Sequence, residues 1–185
     1  MKRLLDIFTS LALLIILSPL MVLIGIVIKL ETSGPMVFTQ QRVGLNGRLF
    51  SICKFRSMYI DSEKQGSHST SANDPRITRA GRFIRATSLD ELPQLINVLK
   101  GEMSIVGPRP DLMIQKADYN PEDWNLRISV RPGITGLAQV NGRSNCTFEE
   151  RLNYDIEYAR SHSFLLDLKI LFKTAAVVFL RKNTN

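Results

Sequence analysis

The sequence predicts a mixed α/β chain, mostly helical, with an apolar N-terminal segment (residues 1–31) ahead of a domain spanning 32–185. Three observations carry this. A nearly continuous apolar run extends from Ile7 to Ile28. Two strand-like stretches, Val37 to Val43 and Arg48 to Phe55, flank the turn signal Leu45-Asn46-Gly47, which predicts a small β-hairpin. Helix starts then recur, as Asn120-Pro121 and as the capping box Thr147-x-x-Glu150. At 185 residues the chain is long enough for a core of its own.

Lys2 and Arg3 precede the apolar run and Lys29 closes it. As a straight helix the run covers about 33 Å, enough to cross a hydrocarbon core of about 30 Å. Its length, and the lack of a small-residue cleavage site after it, argue against a cleaved signal peptide. Two features argue against a simple span. Ser18-Pro19 sits mid-run, where proline removes a backbone hydrogen bond, and basic residues flank both ends, which favours one cytoplasmic side for both. A helix broken at Ser18-Pro19 would have arms of about 16–21 Å, close to one leaflet. On the residues alone, spanning and re-entrant readings stay open.

From Thr32-Ser33-Gly34-Pro35 the chain turns polar. Lys54 and Arg56 stand two apart and so share a strand face, which by itself describes a charged edge strand. Asp61 to Asn73 lacks periodicity and reads as a solvated loop.

The most informative stretch is Arg82 to Pro110. Asp90 and Glu91 stand side by side just before a short helix, and Leu92, Leu95, Ile96 and Leu99 have the spacing of one apolar face. Gly101 closes the helix. Pro93 suits a first helical residue, which places the two carboxylates in the preceding turn or a distorted first turn. Ser88-x-x-Glu91 also fits a capping box, the ordinary structural reading. Neighbouring carboxylates diverge by about 100° on a helix, so they suit two separate tasks. Arg82 and Arg85 precede them, and a buried strand from Met103 to Val106 ends at Gly107-Pro108-Arg109-Pro110.

Asp111 to Lys116 reads as a short helix, and Asp111→Asn is expected to matter little. Trp124 is as consistent with packing as with ligand contact. The run Arg131 to Arg143 (RPGITGLAQVNGR) is rich in glycine. Arg131 and Arg143 have the geometry to grip phosphate, and Gln139 and Asn141 share a face if this is a strand. A glycine-rich turn around a strand explains it equally. Leu165 to Leu180, broken by Asp167, Lys169 and Lys173, reads as an amphipathic helix at the lipid headgroups, with a core helix as the competitor.

The net charge of +7 predicts anionic partners. Cys53 and Cys146 lack disulfide-framework or metal-ligand spacing. No G-x-x-x-x-G-K-[ST] loop or dinucleotide fingerprint is present, which disfavours ATPase and dehydrogenase chemistry. Nucleic-acid binding is disfavoured by the apolar segment and by the lack of aromatics among the charges.

DELPQLINVLKGEMSIVGPRP, followed by RPGITGLAQVNGR, resembles the bacterial sugar transferases, small monotopic polyprenyl-phosphate phosphoglycosyl transferases. The resemblance runs to about Phe172, with one departure at Leu137, where the bacillosaminyl relatives carry Trp. It implies a re-entrant N-terminal helix on the cytoplasmic face of the bacterial inner membrane, meeting its lipids. It implies transfer of a phosphosugar from a UDP-sugar to undecaprenyl phosphate, releasing UMP, as the first membrane step of glycoconjugate synthesis. Asp90 would be the nucleophile, and Glu91, with Asp90, would hold Mg²⁺. Lys54, Arg56, Arg85, Arg109, Arg131, Gln139, Asn141 and Arg143 are the residues expected to meet substrate or phosphate. A homodimer stays open. The competing function is a non-catalytic, membrane-attached basic scaffold for anionic lipid.

Overall fold

The computed structural model describes residues 2–62, 74–142 and 146–179. Helix α1 (Lys2–Glu31) is followed by an antiparallel hairpin, β1 (Val37–Val43) and β2 (Leu49–Phe55), closed by a 3-10 turn at Leu45–Gly47. Asn46 takes φ 54° there and Gly47 φ 79°, left-handed values that suit Asn and Gly. Helices α2 (Arg79–Ala86) and α3 (Gln94–Lys100) lead to β3 (Ser104–Val106). Then come α4 (Pro121–Ile128), β4 (Gly133–Thr135), α5 (Leu137–Asn141), α6 (Phe148–Ser161) and α7 (Phe164–Phe179). β3 and β4 pair in parallel, separate from the hairpin.

The predicted caps are present. Asn120 accepts from the Asp123 amide at 2.8 Å with Pro121 as first helical residue, and Thr147 and Glu150 form their reciprocal box. The core gathers Phe50, Ile52, Leu95, Val98, Met103, Val106, Tyr158 and Ile170, so hairpin, α3, β3, α6 and α7 close around one centre. Trp124 is buried in a satellite cluster with Val43 and Tyr119, which makes it a packing residue.

Four expectations change. α1 is one helix through Ser18-Pro19, not two. Pro19 cannot donate to the Ile15 carbonyl, and the Ser18 hydroxyl takes that acceptor at 2.8 Å. Ser88 does not cap: it lies at φ 58° with no side-chain cap bond. The buried face of α3 is turned toward Gln94, Leu95, Asn97 and Val98, and Ile96 faces out. Leu137–Asn141 is a helix, so Gln139 and Asn141, about 200° apart around its axis, point to different sides.

Candidate active site

The site is assembled where α2, α3, the hairpin and the β3 loop meet. Thr78 caps α2 through the Gly81 amide, and the helix ends at Thr87. Ser88 then reverses the chain in its left-handed conformation, and Leu89–Glu91 forms a single 3-10 turn before Pro93 and α3. The turn directs Asp90 inward, leaving it 8% exposed. Such strain in a non-glycine residue costs about 1–3 kcal/mol, and here it lies two residues from the candidate nucleophile.

Lys54 arrives from β2. The Asn97 side chain accepts from the Cys53 amide at 2.9 Å and donates to the Ser51 carbonyl at 2.8 Å, so α3 completes the edge of β2 as a third strand would. That clamp holds Lys54 over the turn, with Nζ 3.0 Å from Glu91 Oε1. Arg109 arrives from the loop after β3 and donates to the same oxygen at 2.6 Å.

The two carboxylates are set apart by these contacts. Burial, then the neighbouring charge of Glu91, pushes the Asp90 carboxyl up to about 6, so it is mostly ionised at neutral pH. Burial would also raise Glu91, but Arg109 and Lys54 together overcome it and hold that group at about 2. Glu91 is thus committed to two cations. Among the described residues Asp90 accepts no hydrogen bond, which leaves its carboxylate available as a nucleophile. Lys54 is itself lowered, first by burial and then by Arg109.

Glycines let β4 and the turn after it close on the loop that leaves β3. A Cβ on Gly133 would come within 2.1 Å of the Gly107 nitrogen, and one on Gly136 within 2.2 Å of the Gly107 carbonyl. The close approach these glycines permit is therefore between the Gly107–Pro110 loop and β4 with the Gly136 turn that follows it. It turns the carboxyl ends of β3 and β4 toward one cavity of about 1280 Å³, lined by Lys54, Arg85, Asp90, Glu91, Arg109 and Gln139 among others. Ligand crevices in parallel α/β structures lie at the same end of the strands.

A family model described as bacterial sugar transferase matches residues 1–181. The chain belongs to the bacterial sugar transferase family. It is 47% identical over 184 residues to the undecaprenyl-phosphate glucose phosphotransferase of Komagataeibacter xylinus, covering 94% of this chain and 35% of that one. It is 43% identical over 189 residues to the UDP-glucose:undecaprenyl-phosphate glucose-1-phosphate transferase of Klebsiella pneumoniae, covering 98% and 41%. The uncharacterized sugar transferase EpsL of Bacillus subtilis is 42% identical over 181 residues, covering 96% and 87%. The chain thus spans only 35% and 41% of the first two relatives.

Within this member of the family, the expected site residues divide. Lys54, Arg85, Asp90, Glu91, Arg109 and Gln139 come together at the cavity. Both amide atoms of Gln139 are buried there with no hydrogen-bond partner from the protein. Arg56 also borders the cavity, but its two terminal nitrogens bond the Thr32 and Ser33 carbonyls at 2.9 and 2.6 Å, holding the chain that leaves α1. Arg131 is turned away and donates to the Gly101 carbonyl at 3.1 Å, closing α3. Asn141 is exposed and accepts from Lys173 at 3.0 Å. Arg143 lies outside the described residues. Arg42 and Arg151 line the cavity without having been expected. Each sits in a regular element with no motif around it, and only the packing of β1 and α6 brings it there.

Proposed function

We propose that the chain transfers a hexose-1-phosphate from a UDP-sugar to undecaprenyl phosphate on the cytoplasmic face of the bacterial inner membrane. The observation that carries this is the pairing of an uncommitted, buried Asp90 with a Glu91 already neutralised by Lys54 and Arg109, in a family whose named relatives act on undecaprenyl phosphate. An Asp90 oxygen attacks the sugar-proximal phosphorus, the bond from that phosphorus to the UMP oxygen breaks, and UMP leaves. An oxygen of undecaprenyl phosphate then attacks the same phosphorus. The aspartyl–phosphorus bond breaks, which restores the Asp90 carboxylate and forms undecaprenyl-diphosphate-sugar. Arg85, Arg109 and Lys54 offset the repulsion between phosphates and carboxylate on approach.

What supports Mg²⁺ here is that Lys54 and Arg109 both bond one oxygen of Glu91, Oε1, while Asp90 accepts no hydrogen bond among the described residues, so carboxylate oxygens remain for the ion. Asp90 and Glu91 would supply the hard oxygens that this ion combines with substrate phosphates and water. Bound there, it would neutralise phosphate charge. Glu91→Gln is therefore expected to raise the Mg²⁺ concentration needed for half-maximal UMP release, as well as to lower the rate. A lowered rate with an unchanged Mg²⁺ requirement would assign Glu91 solely to holding Lys54 and Arg109.

The direct test is incubation of the membrane-reconstituted chain with undecaprenyl phosphate and a panel of UDP-sugars led by UDP-glucose and UDP-galactose. UMP release with one of them is expected. No release from any member sinks the proposal.

The same reading has α1 enter and leave the bilayer on one side, as a continuous helix bent at Pro19. Its apolar length suffices to cross a membrane, but what supports re-entry is that both ends are tied to one polar body. At the start, Lys2 bonds the Val106 carbonyl, Tyr158 and Asp167, and Arg3 bonds the Val98 and Leu99 carbonyls. At the end, Glu31 accepts the Arg79 and Ala80 amides at the start of α2. Opposite sides of a bilayer cannot share these partners. With Cys53 and Cys146 replaced, a single cysteine at Leu5 should resist an impermeant maleimide in intact cells and react once the membrane is opened. Pro19→Ala, which restores the missing backbone bond, should make a fraction reactive from outside. Full labelling of the parent in sealed cells would establish a spanning helix.

A further inference from the structure

The cavity that holds Asp90 is larger than the roughly 300–1,000 Å³ of an ordinary ligand site, and its walls change chemistry along it. One part is cationic, with Lys54, Arg85 and Arg109. The other is walled by Leu13 of α1, Leu171, Thr174 and Val177 of α7, and Ile134 and Val140. The α7 residues stand three apart and form one row along the helix. Thr174 is the polar member of this wall, and its hydroxyl is consumed within the protein: it donates to the Ile170 carbonyl at 2.8 Å and pairs with Thr135 Oγ1 at 2.8 Å. What remains for a ligand between Leu13 and the α7 row is aliphatic.

The two helices that supply this wall also present apolar side chains outward. Phe8, Leu11 and Ile15 of α1 and Leu165, Leu168 and Phe172 of α7 are all exposed. They are joined near their beginnings by the Lys2–Asp167 ion pair at 2.5 Å. A nucleobase would want stacking faces, and these wall residues include no aromatic side chain; the unsatisfied Gln139 amide lies at the edge of the wall, beside Val140. A flexible chain of methyl and methylene groups needs only buried apolar area.

We propose that the apolar end of the cavity, between Leu13 of α1 and the Leu171–Thr174–Val177 row of α7, holds the polyisoprenyl chain of the lipid acceptor. The inference rests on the transferase reading and adds where the acceptor lies: its phosphate meets the cationic end while its chain leaves between the two helices. α7 is then part of the acceptor site as well as a membrane-facing helix.

Leu171→Trp and Val177→Trp, each narrowing the wall, are the test. In nanodiscs, KM for undecaprenyl phosphate should rise at least tenfold. Exchange of labelled UMP into UDP-sugar without acceptor, which reports the donor half-reaction, should stay within about twofold. An unchanged acceptor KM overturns the proposal, and so does an equal fall in exchange, which would give the wall to the donor. If the parent chain catalyses neither exchange nor transfer, the transferase reading fails, and binding is then judged separately. A benzophenone-bearing polyprenyl phosphate, competed by undecaprenyl phosphate, should label the parent chain on the peptides containing Leu13 and Leu171–Val177. Labelling confined to other peptides overturns the proposal whatever the activity.

Discussion

Asp90→Asn is expected to abolish UMP release while leaving the fold intact. An amide keeps the shape of the carboxylate but cannot form the aspartyl–phosphorus bond, so turnover should fall at least about a thousandfold, or about 4 kcal/mol of barrier. The stability side has a definite sign. Asp90 is raised from an ordinary 3.8 to about 6, chiefly by burial, so the folded state disfavours its charge. That penalty grows as pH rises from the unfolded value toward about 6, and it is fully present at neutral pH. Removing the charge should leave the thermal midpoint unchanged or raise it. Lost activity with an equal or higher midpoint separates a chemical role from a structural one. Asp118→Asn, at an exposed residue away from the cavity, is the control. Mass spectrometry of the parent chain treated with donor alone should find a phosphosugar on the peptide carrying Asp90. Substantial turnover by Asp90→Asn would end the covalent mechanism.

The features legible in the sequence were those set by neighbours in the chain. Leu45-Asn46-Gly47 specifies a tight reversal locally, and the alternation on either side needs no distant partner to declare a hairpin. Asp90 and Glu91 could be placed before α3 because Pro93 disfavours an earlier helix and Gly101 ends it. Features that depend on distant partners were misassigned. Leu137–Asn141 has the look of a strand, but β4 ends at Thr135 where it leaves β3, and the Gly136 turn against Gly107 sends the chain into a helix. The outward turn of Ile96 follows from Asn97, whose amide is drawn inward by the open edge of β2. Arg131 and Arg56 look like phosphate ligands by residue type. Both are used on backbone carbonyls that lack partners elsewhere, at the end of α3 and after α1.

Asp111 is the sharpest case of information that a sequence motif does not carry, and it sets the second large effect. Replacing it was expected to matter little, yet its side chain is almost wholly buried. It pairs with Arg127 at 2.8 Å and accepts the Tyr119 hydroxyl at 2.6 Å. Arg127 in turn bonds Asp155 at 2.9 Å and donates to the Arg109 carbonyl, so one buried guanidinium joins α4, α6 and the loop that carries Arg109 to Glu91. Arg127→Met should therefore be severe, because it leaves two carboxylates buried with Arg151 as a more distant partner, 3.6 Å from Asp111. Breaking a buried pair in this way costs about 3–5 kcal/mol. For a chain of this size that corresponds to a fall in thermal midpoint of about 6–20 °C. Asp111→Asn, which keeps a hydrogen-bonding oxygen, should cost less, about 1–3 kcal/mol. The pH dependence identifies the cause. Burial already raises Asp155 against the pull of Arg127, and without that cation it rises further. A raised carboxyl costs stability as pH climbs through its folded value, so the deficit of Arg127→Met should shrink as pH is lowered from 7 toward 5. At low temperature, where the variant is still folded, UMP release should also fall, because the Arg109 backbone has lost the donor that fixes it. A midpoint within about 2 °C of the parent, or a deficit independent of pH, would show that the network neither holds the fold nor positions Arg109.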